Sequence, residues 1–204
     1  MLPSVTAIVS VYNEAKIIER VVLDLIKISF LNEIIIINDG SSDGTEEVLN
    51  QYNDKIKIVK NNTNRGKGYG VAQALKLAKG ELVILLDGDI VNYTEKDLRL
   101  LIKPVVRREC DFTLKPTDDI IFKNLSGIRC YWRMDLLNCL TRLEQSSRYG
   151  LEIVLNRCLK NKRRKFIKLN DYHHFQKFEK FNLPVAMWEY SKEAASLLKQ
   201  AIKN

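Results

Sequence analysis

The 204-residue chain has only two histidines, His173 and His174, and four cysteines, Cys110, Cys130, Cys139 and Cys158, none of them in a C-x-x-C pair. Such irregular spacing offers no redox-dithiol motif, and buried, reduced thiols of a cytosolic protein are expected. No apolar run approaches the roughly 18–20 residues needed to span a bilayer; Ile34–Ile37 and Leu82–Leu86 are far too short. The opening stretch MLPSVTAIVSVYNEAK has no basic flank and meets Asn13 and Glu14 before the apolar centre of a secretory signal develops. Internal repeats, linkers and low-complexity tracts are also missing, so one domain of ordinary size is expected over residues 1–204.

Hydrophobic residues make up 46% and charged residues 28% of the chain, the balance of a folded soluble domain and not of a disordered one. The charge is uneven. Residues 1–100 hold 12 Lys and Arg against 14 Asp and Glu, whereas residues 101–204 hold 21 against 11, so the formal net charge of +8 originates in the second half. Its densest point, Asn161–Lys165 (NKRRK), is either a solvated face or a surface for an anionic partner such as phosphate, nucleic acid or an acidic lipid leaflet.

Periodicity organises the first half. Apolar β-branched runs at Val5–Val11, Ile34–Ile37, Ile56–Val59 and Leu82–Leu86 read as strands, separated by helical patterns at Glu14–Ile28, Asp43–Tyr52 and Tyr69–Lys79, with Gly80 just past the last. Continuous apolar strands alternating with helices predict an α/β fold with a mostly parallel central sheet flanked by helices. Further on, Asp111–Lys115 and Phe166–Leu169 read as short strands, Met134–Leu140 and Tyr149–Leu159 as helices, and Tyr190–Ile202 as a closing helix.

In such sheets ligands bind outside the carboxyl ends of the strands. The polar residues stand there: Tyr12-Asn13-Glu14 after the first strand, Asn38–Thr45 (NDGSSDGT) after the second, Asn61–Gly70 after the third and Asp87-Gly88-Asp89 after the fourth. Two carboxylates flanking a glycine that admits close approach suit a hard cation, Mg2+ or Mn2+, which keeps coordination positions for substrate phosphates; alternatively they only cap a turn. Asp43 is placed to N-cap a helix, with Glu46 and Glu47 complementing its dipole. That leaves Asp39, directly after a strand, to accept hydrogen bonds from a nucleobase or ribose. Asn64–Gly70 joins two cations to three glycines ahead of a helix, a plausible phosphate cradle without Walker A or dinucleotide spacing.

Taken in order and at these spacings, Val9–Ala15 (VSVYNEA), Ile35–Thr45 (IIINDGSSDGT), Asn64–Gly70 (NRGKGYG) and Leu82–Asp89 (LVILLDGD) resemble the nucleotide-sugar half of family-2 glycosyltransferases with the GT-A fold. The resemblance implies a Rossmann-like sheet, a nucleoside-diphosphate sugar donor, UDP-sugar favoured over GDP-sugar, and a divalent metal. Residues 1–105 would form the nucleotide-sugar half and 106–204 the acceptor half. Val11, Tyr12 and Glu14 would line the nucleotide pocket, Asp39 would hold the base, Lys67 would lie near the nucleotide, and Asp87, Gly88 and Asp89 would serve ribose, sugar and metal. Val11 stands where the family commonly has proline, and Asn38 where it often has aspartate; both bear on donor preference.

Ser126–Arg133 (SGIRCYWR) resembles the S-G-x-R-x-x-x-R segment of polyprenyl-phosphate sugar synthases and glucosyl-phosphoglycerate synthase-like enzymes. Arg129 and Arg133 share a face if the segment is helical, either to bind an acceptor phosphate or to pair with Asp135 or Glu144. Tyr149–Glu152 resembles a segment of the same group that places Glu152 as an acid near the acceptor, a catalytic base for an alcohol, with Asp118 or Asp119 next. His174, ahead of His173, would complete the metal site with Asp87 and Asp89, as a late histidine does in related enzymes.

The expected activity is therefore sugar transfer, with Asp89 and Glu152 catalytic, to a phosphate-bearing acceptor such as a polyprenyl phosphate or a small phosphorylated molecule. Peripheral contact with an anionic membrane through residues 161–168, and a homodimer, fit the same reading, whereas nucleic acid is not expected. A sugar-phosphate nucleotidyltransferase is the rival, disfavoured because Tyr12-Asn13-Glu14 occupies the place of a glycine-rich, arginine-bearing loop. A non-catalytic anion-binding module would leave the strand-end aspartates repelling their ligand.

Overall fold

In a computed structural model the structure describes residues 2–117, 124–146, 148, 150–169, 173–174, 187–188, 191–192, 194–196 and 202. In chain order the elements are β1 (Val5–Val11), α1 (Ile18–Ile26), β2 (Glu33–Asp39), α2 (Thr45–Asn50), β3 (Lys57–Asn61), α3 (Lys67–Leu77), β4 (Leu82–Asp87), β5 (Ile90–Val91) and α4 (Glu95–Val106). The second half continues with β6 (Phe112–Leu114), β7 (Arg129–Trp132), α5 (Arg133–Leu137), α6 (Leu140–Glu144), α7 (Leu151–Cys158), β8 (Arg164–Phe166) and β9 (His173–His174).

Seven strands form one sheet in the order β3-β2-β1-β4-β7-β6-β8. The first four run parallel; β7 is antiparallel to β4 and to β6, and β8 is parallel to β6. The apolar strands alternate between two buried layers, as a sheet covered on both faces requires. Val5, Ala7, Val9, Ile34, Ile36, Leu82, Ile84 and Leu86 face one core with α1 and α4, while Ile8, Ile35, Ile37, Val83, Leu85 and Tyr131 face the other with α3, α5, α6 and α7. Tyr131 stacks on Phe112 across the β6–β7 pair, with ring centroids 5.1 Å apart.

Several boundaries differ from the sequence expectation for local reasons. Helix α1 starts at Ile18 and not Glu14, because Asn13 takes a left-handed φ of 57° and Glu14 O closes a turn with Ile17 N and Ile18 N, at 2.9 Å each. Gly80 is not a helix-terminating glycine: α3 ends at Ala78 in extended backbone, and Gly80 lies buried against β1, donating its N–H to Thr6 Oγ1 at 3.0 Å. Asp43 stands one position before the N-cap, which is Gly44. The expected strand Phe166–Leu169 ends where it was meant to begin, with β8 at Arg164–Phe166.

Helix α4, strand β7 and helix α6 are absent from the sequence expectation. For α4 the signal is Thr94, whose side chain accepts from Asp97 N at 3.1 Å while Asp97 caps back, ahead of buried Leu98, Leu101, Ile102 and Val105. The basic run at the far edge is largely paired internally: Lys162 with Asp135 (2.7 Å), Arg163 with Asp111 (3.1 Å) and Lys165 with Glu109 (2.6 Å). All four cysteines are free, Cys158 half-buried and the rest buried, and no helix among the described residues is long and apolar enough to cross a membrane. Most of the expected closing helix, together with Asp118, Asp119 and Tyr149, lies outside the described residues.

Thr94→Ala removes the cap that starts α4 and is expected to cost about 1 kcal/mol of unfolding free energy. Urea denaturation measures it; an unchanged midpoint would show that packing alone holds the helix.

Candidate active site at the carboxyl edge of the sheet

The chain winds outward through β1, β2 and β3, then returns to place β4 on the other side of β1. Such a reversal, here at the carboxyl ends of β1 and β4, is where open α/β sheets take their ligands. The loops after β1 and β2 are tied together there. Asn13 N donates to Ser41 Oγ (3.0 Å), Ser42 N to Asn13 Oδ1 (2.9 Å), Glu14 N to Thr45 Oγ1 (3.0 Å) and Ala15 N to Asp43 Oδ2 (3.0 Å). The turn-forming run after β2 therefore shapes the β1 loop, leaving Val11 buried and Tyr12 45% exposed at the rim. Buried Asn38 accepts from Ser41 N at 3.0 Å, a task its amide oxygen performs without a carboxylate.

Asp39 is turned inward and only 5% exposed. Its oxygens accept from Asn61 Nδ2 (2.7 Å), Arg65 N (2.9 Å) and Gly66 N (2.7 Å), so the carboxylate organises the loop ahead of α3. Gly66 has a φ of 94°, and a Cβ there would come within 2.6 Å of Arg148 Cα, where Lys67 N donates to Arg148 O at 3.2 Å. Loop 61–66 is thereby fixed on one side by β2 and on the other by the approach to α7.

That fixed loop delivers Lys67. Its ammonium bridges Asp87 Oδ1, at the end of β4, and Glu152 Oε1, 3.0 Å away in the first turn of α7. Burial alone would push the ammonium toward neutrality, but the two carboxylates outweigh it and hold Lys67 well above the ordinary lysine range. Burial likewise pushes Glu152 upward, yet Lys67 and Arg129 overcome it and keep the carboxyl below the ordinary range. Gly127 lies directly against Asp87 and Lys67, where any Cβ would collide with both. Gly88 is explained by packing: its N–H meets Ser10 O at 3.2 Å, and a Cβ would strike that carbonyl and Val11.

Asp89 follows in a turn, part-exposed at the rim. The next two residues form β5, whose antiparallel partner is β9, with Ile90 opposite His174 and Val91 opposite His173. The backbone thus brings the two histidines alongside the D-G-D segment, although 84 residues separate Ile90 from His174 in sequence.

The arginine pair departs from expectation. Residues 129–132 are a strand, so Arg129 and Arg133 are not one helical turn apart but about 13 Å apart. Arg129 is 0% exposed and fully engaged: Nε donates to Ser126 O (2.6 Å), Nη1 to Tyr131 Oη (3.0 Å) and Asn156 Oδ1 (2.9 Å), and Nη2 to Asn124 O. Arg133 lies at the opposite edge of the sheet, its N–H on Glu81 O (2.8 Å) just before β4 and its guanidinium on Leu75 O (3.3 Å). Neither Asp135 nor Glu144 pairs with them; these carboxylates hold Lys162 and Lys76. The pair is not a single phosphate fork.

The reading of the sequence missed Asn156 and Arg148. Asn156 is four residues beyond Glu152, on the same helical face, which is a usable signal. Arg148 is exposed at the rim and reaches Asn64 O at 3.4 Å, and nothing local in the sequence marks it.

The Lys67 bridge fixes a sign. Ionised Glu152 adds stability above the ordinary carboxylate range and loses it as pH falls through its lowered folded value, while Lys67 loses its contribution only as pH rises through its raised one. Lys67→Met is expected to cost about 3–5 kcal/mol at neutral pH by stranding buried carboxylates. With the ammonium gone, burial raises Glu152, so the variant should regain stability between pH 7 and pH 5. Urea unfolding at both values tests this, and a pH trend parallel to that of the unsubstituted protein would overturn it.

A family model described as glycosyl transferase family 2 matches residues 6–168. A poly-beta-1,6-N-acetyl-D-glucosamine synthase from Staphylococcus epidermidis is 34% identical over 90 residues, 43% of this chain and 22% of that protein. The same-named protein of Staphylococcus aureus (strain COL) is 36% identical over 93 residues, 44% of this chain and 23% of its own. The chain thus spans under a quarter of the length of these relatives. Among solved structures, glucosyl-3-phosphoglycerate synthase from Mycobacterium tuberculosis, in complex with Mn2+, UDP and glucosyl-3-phosphoglycerate, superposes with a TM-score of 0.72 at 18% identity, over 97% of this chain and 80% of that one. A mannosyltransferase from Pyrobaculum calidifontis, in complex with GDP-Man and Mn2+, gives 0.66 at 19% identity, over 82% and 55%. With the motif series at the carboxyl ends of β1 to β4 and the family match covering most of its length, the chain belongs to glycosyl transferase family 2 and has the GT-A fold.

Proposed function

We propose that this chain transfers a sugar from a nucleoside-diphosphate donor, UDP-sugar in preference to GDP-sugar, to a phosphate-bearing acceptor, with Mg2+ or Mn2+ as cofactor. The observation that carries this reading is Asp87 at the reversal between β1 and β4, one oxygen on Lys67 and the other engaged by no described residue. The side chain is 25% exposed, so a ligand can reach that oxygen.

The donor set suits a hard cation. No group of three ligating side chains converges among the described residues, and a cation of this kind completes its shell with substrate phosphate oxygens and water. Asp87 and Asp89 would hold it, with His174 as third ligand on β9. The cation supplies Lewis-acid stabilisation of the charge that develops on the departing diphosphate. Lys67, kept protonated by its two carboxylates, adds fixed positive charge at the same edge. Val11, Tyr12 and Glu14 border the nucleotide, and Asp39 acts through the loop it organises, with one acceptor position left on Oδ2 for a base N–H.

Glu152 is reassigned within this reading. A carboxylate held below its ordinary range and bonded to an ammonium is a weak proton acceptor. Its place favours an acceptor that arrives already ionised, as a phosphate does, and makes Glu152 the residue that positions Lys67. Arg129 supports Glu152 and Asn156 from beneath, and the acceptor phosphate falls to exposed cations of the rim, Arg148 foremost. The solved relatives support this chemistry, since the mycobacterial enzyme is crystallised with UDP-glucose, Mn2+ and phosphoglyceric acid.

With Mn2+ and a panel of UDP- and GDP-sugars, the protein should release nucleoside diphosphate and Asp89→Asn should lower turnover at least 100-fold with an unchanged circular dichroism spectrum. Retained turnover would remove the metal assignment, and pyrophosphate formed from a sugar phosphate and a nucleoside triphosphate would favour a nucleotidyltransferase instead.

A further inference from the structure

Arg133, which the carboxyl-edge site does not absorb, borders an open hollow of about 490 Å3 at the other edge of the sheet, lined by Lys79, Gly80, Glu81, Trp132, Arg133, Met134 and Asp135. A second hollow of about 450 Å3 begins on the far side of Trp132. The first lies six residues back along β4 from Asp87, about 20 Å at the rise of an extended strand.

Its cations are unspent. Arg133 makes no ion pair among the described residues: one Nη reaches Leu75 O at 3.3 Å, and its buried Nε–H has no partner among them. The Nε lies beneath the surface, so what Arg133 presents to the hollow is its Nη–H groups, which hold no acceptor but Leu75 O among the described residues. Lys79 contributes a second ammonium with no partner among the described residues. Of the two carboxylates on the same rim, Asp135 is paired with Lys162 at 2.7 Å and Glu81 accepts from Ser4 N at 3.2 Å. Beside the cations lie the Trp132 indole and Met134, which is 65% exposed.

We propose that this hollow is a second anion site, which takes a phosphate monoester on Arg133 and Lys79 and rests the ester's apolar part on Trp132 and Met134. Two cations from separate elements around one hollow match a dianion better than a single carboxylate, and the guanidinium offers its Nη–H groups. The site is independent of the sugar-transfer edge and of the reading given to it.

Trp132 is its own reporter once the other tryptophan is removed by Trp188→Phe. Glycerol 3-phosphate titrated into that protein should change Trp132 emission saturably, Arg133→Gln should raise the apparent Kd at least tenfold, and UDP with Mn2+ should not compete. Arg133→Lys and Lys79→Gln, expected to weaken binding less, carry the same test should Arg133→Gln not fold. Phosphatidic acid vesicles distinguish the source: a response to vesicles alone, lost in the Arg133 variants, identifies a lipid headgroup and upholds the site. An emission change that does not saturate, that is equal in all variants, or that UDP with Mn2+ abolishes would overturn it.

Discussion

The Lys67 ammonium between Asp87 and Glu152 is the contact on which the carboxyl edge depends. It ties three elements that are distant in sequence: the first turn of α3, the last residue of β4 and the first turn of α7. Two carboxylates brought this close and this deep would repel each other and resist desolvation, so the helix of the second half can dock on the sheet only with the cation between them. Gly127 keeps the space clear, and Arg129, bonded at each guanidinium nitrogen, adds its charge to hold Glu152 ionised. Removing the ammonium leaves both carboxylates without their shared partner.

Asp39 meets the same difficulty by another route. Backbone and amide N–H groups satisfy it, and these are part of the loop's own shape. The two aspartates at neighbouring strand ends thus differ in kind. Asp39 is a fixed structural acceptor, whereas Asp87 is balanced by one ammonium and keeps a second oxygen that a cation can reach. This difference suits a site in which one aspartate shapes the pocket and the other meets charged ligands.

Much of the first half was legible in the sequence. Val5–Val11 was read with its observed limits, and the polar runs after all four strands lie on one edge because parallel strands put every carboxyl end on the same side. The second half was less so. The strand Arg129–Trp132 has only four residues and sits between two cores, so its sequence, R-C-Y-W, carries neither a helical nor an alternating signature. Arg129 and Arg133 were expected to share a face if the segment were helical; because residues 129–132 are a strand, Arg133 lies at the opposite edge. The Lys67–Glu152 pairing spans 85 residues and is invisible to any local pattern; what the sequence does show is two cations in a glycine-rich loop and a buried-face glutamate with Asn156 one turn on.

Strand β7 enters the sheet against the direction of its neighbour β4. The segment that leads into it, and not the one that leaves it, therefore reaches the working edge, and that segment comes from the stretch following α4. Gly127 rides on that segment, so a change in the length of the stretch between α4 and β7 would shift the backbone that packs against Asp87 and Lys67.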